Sequence, residues 1–241
     1  MLELRVHLLP ALVEPADMAG RTVIVVDVLR ATTTICHALA AGAECVVPCL
    51  EIDEARATAA KLGGEVRLGG ERQGRRIEGF HFGNSPTEYV RESVGGRTVV
   101  FTTTNGTRAM RRASQAGELL MGAFVNLSAV VAAVAKCERV DVLCAGTGGV
   151  VTAEDALFAG AVVERLGLPA AGFNDQALLA RDAWRSFTAS GRSLAVALRQ
   201  CQGGRNLIAE GFDADIDTAS EIDARAVLPR LDPATGRITL R

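Results

Sequence analysis

Short runs of apolar, β-branched residues alternate along the chain with longer stretches whose apolar positions recur at helical spacing. Residues 22–27 (TVIVVD) form such a run and end at an acidic residue, and an Ala-rich stretch follows to about residue 41. This alternation predicts strands that are each followed by a helix. Strands are predicted at residues 22–27, 44–48, 66–68, 97–102, 119–122 and 139–145. Helices are predicted up to residue 41 and at 52–62, 105–115, 126–136 and 152–166.

Repeated strand–helix units are typical of a sheet that carries helices on both faces. The sequence therefore predicts an α/β protein of three layers, α/β/α, with a mostly parallel or mixed sheet. Beyond Gly167 the pattern is mainly helical to about Leu198, which predicts a helical C-terminal extension. The last stretch, with Pro229 and Gly236, is predicted to be loop-rich and to add an antiparallel edge strand. Because no Ser/Gly-rich linker divides residues 1–241, we expect one domain, with a separate lobe from about residue 168 as the alternative.

Composition narrows the range of partners and locations. With 26 basic and 28 acidic residues, the net charge of −2 gives no reason to expect nucleic acid or acidic membrane as a partner. No uncharged apolar run reaches the ~18 residues of a membrane span. Glu3 and Arg5 interrupt the N-terminal apolar stretch, so no signal peptide is predicted and we expect a cytoplasmic protein. The six Cys lack CxxC spacing and are predicted to be buried thiols rather than disulfides or zinc ligands.

The first polar cluster follows the predicted strand at residues 22–27. In open parallel sheets, ligands bind beyond the carboxyl ends of the strands. Asp27 is followed by Arg30 and by three threonines at 32–34 that open the next helix. A carboxylate, a guanidinium fork and the unpaired N–H groups of a helix start are suited to hold a metal ion and a phosphate together. The alternative is structural, with Asp27 as a helix cap and the hydroxyls bonded to backbone groups.

A second threonine-rich turn, TTTNGTR at residues 102–108, also lies between a predicted strand and a predicted helix. Its hydroxyls, the Asn105 amide and the backbone at Gly106 are suited to contact an anion. The alternative is a loop in which Asn105 is the helix N-cap. Two such turns in one chain favour the anion-binding interpretation.

A glycine-rich segment contains the third cluster. GGER at residues 69–72 and Gly74 lead to FGNSP at residues 82–86. Ser85 begins a capping-box pattern with proline at the first helical position, so a structural role explains it. The glycines favour either a loop that approaches a ligand or a mobile loop. His81 is by itself a weak candidate for acid–base chemistry.

The fourth cluster is CAGTGG at residues 144–149, with Glu154 and Asp155 shortly after it. Glycines after a strand are suited to form a nest for an anion, although the spacing is not that of a dinucleotide-binding motif. The two carboxylates either stabilise the positive end of the helix dipole or bind Mg²⁺, which prefers oxygen ligands.

Taken together, VVDVLRATTTI, LGGERQGRRIEGF, FGNSP, TTTNGTRA, CAGTGG and the ED that follows resemble the 2-phosphosulfolactate phosphatase (ComB) family, in order from about residue 23 to 160. Weaker matches follow, among them Asp215, to which the resemblance assigns no role. The resemblance implies Mg²⁺-dependent hydrolysis of 2-phosphosulfolactate to 3-sulfolactate and phosphate, on the route to coenzyme M. It also implies a homodimer.

The resemblance assigns roles to fifteen residues. The predicted catalytic residues are Asp27, Arg30, Glu71 and Arg72. The predicted Mg²⁺ ligands are Asp27, Glu154 and Asp155. The predicted substrate-binding residues are Thr32, Thr33, Asn84, Ser85, Thr103, Thr104, Asn105, Thr107 and Gly146. One departure is His81, which stands where the family commonly has Asp and leaves the metal geometry or substrate preference open.

Two alternatives to this function keep the same residues. One is a phosphatase for another small phosphorylated 2-hydroxy acid, since a fold and family define a reaction better than a substrate. The other is a non-catalytic anion-binding protein, which would not need the carboxylates. The mechanism is also open, because Asp27 is suited either to attack phosphorus or to bind Mg²⁺ while water attacks. Leu29 two positions later excludes a DxD motif.

Overall fold

The computed structural model describes residues 2–240, whose strands join in one mixed sheet. In chain order the strands are β1 (Glu3–His7), β2 (Thr22–Val26), β3 (Cys45–Pro48), β4 (Val66–Arg72), β5 (Arg75–Arg76), β6 (Thr98–Thr102), β7 (Glu118–Gly122), β8 (Arg139–Cys144), β9 (Arg230–Asp232) and β10 (Arg237–Thr239). Their order across the sheet is β1-β8-β2-β7-β9-β10-β3-β6-β4-β5. All six predicted strands are present, and β4 is longer than predicted because it runs on to Arg72.

Helices follow most of the strands, as the pattern predicts. They are α1 (Ala31–Ala40), α2 (Ile52–Leu62), α3 (Arg91–Val94), α4 (Gly106–Arg112), α5 (Leu127–Val134), α6 (Ala153–Leu166), α7 (Asp175–Ala189), α8 (Leu194–Gln200), α9 (Gln202–Ala209) and α10 (Asp213–Ser220). The C-terminal extension is helical, and it continues to Ser220 instead of ending near Leu198. Among residues 2–240, no helix combines the length and the apolar character needed to cross a membrane.

Strand β2 demonstrates the three layers. Its side chains alternate between two cores, with Ile24 and Val26 on one face and Val23 and Val25 on the other. The first core packs against the helices from α5 to α10, and the second packs against α1 and α4. Because both faces are buried, β2 is apolar at all four positions after Thr22 instead of alternating with polar residues. The predicted α/β/α fold with a mixed sheet is confirmed.

The C-terminal strands occupy an unexpected place in the sheet. The hairpin β9–β10 lies between two parallel groups, one of β1, β8, β2 and β7 and the other of β3, β6 and β4. Strand β9 pairs antiparallel with β7, and β10 pairs with β3 through Ile238 and Val46. The Ile238 side chain is fully buried. The predicted antiparallel character is correct, whereas the predicted edge position is wrong, because this short hairpin fills the middle of the sheet.

Strand β1 was not predicted from the sequence. It lies at one edge of the sheet, parallel to β8, and its Leu4 and Val6 are completely buried in the first core. Only two apolar positions alternate in this short segment, so the pattern carries little signal.

Candidate functional site

A cleft of about 390 Å³ lies at the carboxyl ends of β2, β4 and β6, where the polar clusters of the sequence meet. Residues from the C-terminal helix α9 form its other wall. The lining residues are Asp27, Leu29, Arg30, Glu71, Gln73, Gly74, Asn84, Thr104, Asn105, Thr147, Gly148, Gly203, Asn206, Leu207, Ala209 and Glu210. Six of the fifteen predicted site residues therefore reach the cleft: Asp27, Arg30, Glu71, Asn84, Thr104 and Asn105.

Asp27 directly follows β2 and is buried at the base of the cleft. Its Oδ1 accepts a hydrogen bond of 3.2 Å from the N–H of Ala31, so this oxygen satisfies a donor at the start of α1. Its Oδ2 faces Gly106, where a Cβ atom would lie only 2.8 Å away. No hydrogen bond from residues 2–240 reaches Oδ2. Asp27 is thus both a helix cap and a carboxylate with one oxygen available for chemistry.

Several carboxylates lie close together around Asp27. Burial and the charges of Glu71 and Glu154 together raise the pKa of Asp27 to about 7, against the hydrogen bond from Ala31 and the charge of Arg30, which lower it. Burial likewise raises the pKa of Glu154, and it raises the pKa of Asp155 well above the ordinary range with help from Asp27 and Glu154. Burial away from water is the main physical reason, mutual repulsion adds to it for Asp27 and Asp155, and a divalent cation would relieve both.

Asp155 holds two strand ends together. Its Oδ1 accepts from the N–H of Val28 at 2.9 Å, and its Oδ2 accepts from the N–H of Gly146 at 3.0 Å. These donors follow β2 and β8, so both carboxylate oxygens join neighbouring strand ends. Gly146 contributes this N–H inside the fold and does not line the cleft.

Glu154 is buried behind the cleft wall and differs from its neighbour Asp155. Its Oε2 is buried without a hydrogen-bond partner in the part of the chain that is described. Its Oε1 lies against Gly203, where any Cβ atom would overlap it. A buried carboxylate oxygen without a donor is costly, which makes Glu154 suited to a cation that the protein binds.

Arg30 is the guanidinium of the cleft. It is buried, and its Nη1 donates to Asp215 Oδ2 at 2.6 Å, while Nη2 donates to the carbonyl of Gly74 at 3.1 Å. The ring of Phe212 lies 4.4 Å from its Cζ atom, a cation–π contact. The peptide bond between Leu29 and Arg30 is cis. Arg30 is therefore held by three groups, two of them from the C-terminal helical region.

Glu71 and Arg72 are adjacent on β4 and point to opposite faces, as strand geometry requires. Glu71 is buried and accepts from the N–H of Thr104 at 2.7 Å and from the N–H of Gly74 at 2.8 Å. It thus joins the β4–β5 turn to the loop after β6. Arg72 donates to the carbonyl of Leu50 and does not line the cleft, so the structure does not bring its guanidinium to the site.

The threonines of the first turn direct their hydroxyls into the fold. The Thr32 hydroxyl bonds to the carbonyls of Asp27 and Gly122, and the Thr33 hydroxyl donates to the carbonyl of Val28. Both residues are fully buried and absent from the cleft wall. These contacts correspond to the structural alternative, in which hydroxyls at a helix start satisfy backbone groups.

The second threonine-rich turn divides into two parts. Thr107 donates its hydroxyl to the carbonyl of Thr103, and the Thr103 hydroxyl accepts from the Thr107 N–H. Both are buried behind the cleft. Thr104 and Asn105 line it, and Asn105 Oδ1 accepts from the N–H of Gly148. The predicted N-cap hydrogen bond from Asn105 is absent among the described residues, since its side chain bonds to the Gly148 loop instead.

Asn84 and Ser85 lie where the third cluster approaches the cleft. Asn84 lines it, and its buried Oδ1 has no hydrogen-bond partner within residues 2–240. The Ser85 hydroxyl donates to Asp215 Oδ1 at 2.6 Å. The capping-box prediction is wrong, because Pro86–Glu88 is one 3₁₀ turn without a side-chain cap and Glu88 accepts from Gly83 instead.

The residues that sequence reasoning missed belong mostly to the C-terminal helices. Asn206 and Leu207 of α9 line the cleft together with Glu210, which directly follows that helix, and Asp215 of α10 holds Arg30. His81 lies outside the cleft lining, where its Nδ1 accepts from the N–H of Leu68 at 3.0 Å. The departure at His81 therefore does not touch the cleft.

Comparisons with known proteins identify the family of the chain. The sequence profile described as 2-phosphosulpholactate phosphatase matches residues 7–233. The chain belongs to the 2-phosphosulpholactate phosphatase family. A Symbiobacterium thermophilum protein named probable 2-phosphosulfolactate phosphatase is 42% identical over 222 residues, 90% of this chain and 94% of the relative. Proteins of the same name from Thermotoga petrophila and Synechococcus sp. are 39% identical (88% of this chain, 89% of the relative) and 38% identical (89% and 90%).

Membership of this family, whose named activity is phosphoric monoester hydrolysis, raises the question of a metal ion. In the part of the chain that is described, no three His, Cys, Asp or Glu side chains converge as a ready-made metal cage. Mg²⁺ is usually bound by one or two carboxylates together with water and substrate phosphate, and does not need such a cage. The free oxygen of Asp27 and the partnerless Oε2 of Glu154 are oxygen donors of this kind.

Proposed function

We propose that this protein is a Mg²⁺-dependent phosphatase that hydrolyses 2-phosphosulfolactate to 3-sulfolactate and phosphate. The observation that carries the proposal is the free Oδ2 of Asp27 in a cleft that also contains the Arg30 guanidinium, within a chain of this family. The substrate has phosphate, sulfonate and carboxylate groups and therefore needs several fixed donors. Arg30, Asn84 and Asn105 supply guanidinium and amide donors around the cleft, and the Thr104 hydroxyl, which also lines it, donates to Glu71 Oε2 at 3.2 Å.

The basic and acidic residues of the site have different proposed roles. Arg30 binds and orients the transferred phosphate, and positioning of this kind is most of what phosphoryl transfer requires. Asp27 and Glu154 would hold Mg²⁺, which would neutralise charge on the phosphate and on the carboxylates. Asp155 keeps Asp27 in place through the neighbouring N–H of Val28. Our proposal therefore assigns Asp27 to metal binding, with water as the attacking group.

The proposal includes three finer statements. We propose a role in supplying sulfolactate on the route to coenzyme M, a homodimeric assembly and a cytoplasmic location. The resemblance supports the first two, and the third repeats the expectation from the sequence.

The test is phosphate release from a panel of phosphorylated 2-hydroxy acids that includes 2-phosphosulfolactate, phospholactate and phosphoglycolate, with Mg²⁺ or with EDTA. We expect the highest kcat/KM for 2-phosphosulfolactate and no turnover in EDTA. A higher kcat/KM for another acid would show that 2-phosphosulfolactate is not the preferred substrate. Equal turnover in EDTA would contradict the Mg²⁺ dependence. Phosphate binding without turnover of any acid in the panel would favour the non-catalytic anion-binding protein.

A labelling experiment tests the role of Asp27. With ³²P-labelled substrate, quenched during turnover, we expect no labelled protein. A hydroxylamine-labile adduct on Asp27 would instead assign it as the nucleophile, since carboxylates form acyl phosphates of this reactivity.

A further inference from the structure

Asp215 stands apart from the other acidic residues of α10. Its side chain is buried, and its two oxygens are used by two different partners across the fold. Oδ2 accepts from Arg30 Nη1 at 2.6 Å, and Oδ1 accepts from the Ser85 hydroxyl at 2.6 Å. Asp213 and Asp217 on the same helix are exposed and pair with Arg199 instead. The buried contact is charge-assisted and short, which is the geometry of a strong hydrogen bond.

The contacts of Arg30 leave part of its guanidinium unused. A guanidinium has five N–H donors, and Asp215 and the Gly74 carbonyl take one each. Within residues 2–240, three donors therefore remain on a group that packs against the ring of Phe212. Because Arg30 lines the cleft, these donors form a fork that an oxyanion can occupy. The orientation of this fork is determined by the residues that hold Arg30 from behind.

We propose that Asp215 is a positioning residue, which acts through Arg30 and is itself oriented by Ser85. This proposal rests on the proposed phosphatase function and refines it. Ser85 then has a task other than substrate binding, because its hydroxyl is used by Asp215. The chain of contacts runs from Ser85 to Asp215 to Arg30 and ends at the phosphate site. A fork that is free to rotate would still carry its charge, but it would lose the alignment that phosphoryl transfer requires.

Burial gives a reason for an acid at this position. Arg30 is 3% exposed, so its charge needs a nearby counter-charge to be tolerated inside the fold. Asp215 supplies that charge at Nη1. The pair therefore presents the remaining donors of Arg30 to the substrate in a fixed direction, and removing Asp215 would leave a buried charge without its partner.

A double-mutant cycle tests the proposal. The variants are Asp215→Asn, Arg30→Ala and the double variant, with kcat/KM for 2-phosphosulfolactate and the Kd of inorganic phosphate measured for each in Mg²⁺. We expect Asp215→Asn to lower kcat/KM by ~10²-fold and to weaken phosphate binding by about tenfold, as for a misplaced catalytic group. In the Arg30→Ala background the same substitution should change both quantities by less than about twofold. Independent, multiplying losses would overturn the proposal.

Two further variants keep the result interpretable. Ser85→Ala should give a smaller loss, about tenfold in kcat/KM, and it serves as the probe if Asp215→Asn does not fold. Asp217→Asn is the matched control on the same helix and should leave kcat/KM and phosphate binding unchanged. An equal loss in Asp217→Asn would overturn the proposal, because it would indicate a general effect of α10.

The phosphate measurement separates this proposal from the proposed function. If the wild-type protein does not turn over 2-phosphosulfolactate, the function fails, while the cycle on phosphate binding still decides the role of Asp215. If the wild-type protein binds no phosphate, the fork of Arg30 is not an anion site and the proposal is overturned.

Discussion

The two walls of the cleft are built from different parts of the chain and by different means. The strand wall consists of turns that follow β2, β4 and β6, where backbone N–H groups and threonine hydroxyls fix Asp27 and Glu71. The helical wall consists of α9 and the start of α10, which contact the strand wall through side chains such as Asp215. The strand wall therefore provides the carboxylates of Asp27 and Glu71, and the helical wall provides the side chains that contact the Arg30 guanidinium.

The two walls differ in the kind of amino-acid substitution that they tolerate. Asp27 and Glu71 are held by backbone donors, whose positions depend on the sheet and not on any one side chain. The helical wall depends on close packing, because Gly203 touches Glu154 and leaves no room for a Cβ atom. We therefore expect a chemical substitution to be most damaging in the strand wall, and a steric one in the helical wall.

The largest effect is expected for Asp27→Asn in the strand wall. The amide keeps the shape and can still accept from Ala31, but it removes the charge from the oxygen that faces the cleft. We expect kcat to fall by ~10³-fold or more with little change in the unfolding midpoint. Steady-state kinetics and thermal unfolding measure the two. A kcat within tenfold of wild type would remove Asp27 from the centre of the mechanism.

Gly203→Ala tests the helical wall. The new Cβ would overlap Glu154 Oε1 and lie 3.3 Å from Leu29 Cβ, so α9 must shift. We expect a loss of about 3 kcal/mol in the free energy of unfolding and at least a tenfold loss in kcat/KM. Urea unfolding and kinetics measure these losses. Gln202→Ala, an exposed position on the same helix, is the control and should be close to wild type.

His37 lies on helix α1, which follows the strand wall at Asp27, and it should make the stability of the protein sensitive to acid. Burial, with a contribution from Arg225, lowers the pKa of His37 from 6.5 to about 4. The unfolded chain therefore binds a proton that the folded chain rejects between these values, so stability is lost as pH falls from 6.5 to 4. We expect the free energy of unfolding to fall by about 2 kcal/mol over this range, after allowing for the partial solvent access of His37.

The measurement for His37 is urea unfolding of the wild type and of His37→Gln at several pH values from 7 to 4. The substitution should flatten this part of the pH dependence without changing the rest. An unchanged slope in His37→Gln would assign the acid sensitivity to other groups.

The smallest effect is expected for Thr33→Val. The hydroxyl donates to the carbonyl of Val28 inside the fold, and removing it leaves that carbonyl with one bond fewer. We expect a cost of about 1 kcal/mol in unfolding free energy and a KM within about threefold of wild type. Thr104→Val, in the cleft lining, is the matched comparison and should raise KM more. The opposite order would make Thr33 the substrate donor.

The strand wall could be predicted from the sequence for a physical reason. Parallel strands end at a common edge, so residues that directly follow separate strands, such as Asp27 and Thr104, are expected to meet. The direction in which each side chain points was harder to predict from the sequence. Arg72 was predicted beside Glu71, but β4 extends through both residues and sends them to opposite faces. The partners of the threonine hydroxyls could not be predicted either, because motif spacing does not distinguish a donor to a ligand from a donor to the backbone.

The helical wall could not be predicted because no local rule connects it to the strands. Arg30 and Asp215 are 185 positions apart, and their contact depends on how α8, α9 and α10 pack. The same holds for the hairpin β9–β10. Its short strands and Pro-containing flanks indicate a loop, and only the gap between β7 and β3 gives them partners. Such long-range pairing overrides local propensity.

The central hairpin also has a consequence for biosynthesis. Arg230 of β9 pairs with Glu118 of β7 across 112 positions of sequence, so a ribosome completes β7 long before its partner emerges. Until then the nascent chain exposes the unpaired edges of β7 and β3. Such edges are open to pairing with other chains, and larger proteins commonly misassemble in this way. Protection of these two edges during translation should therefore matter more for yield in the cell than the stability of the finished sheet.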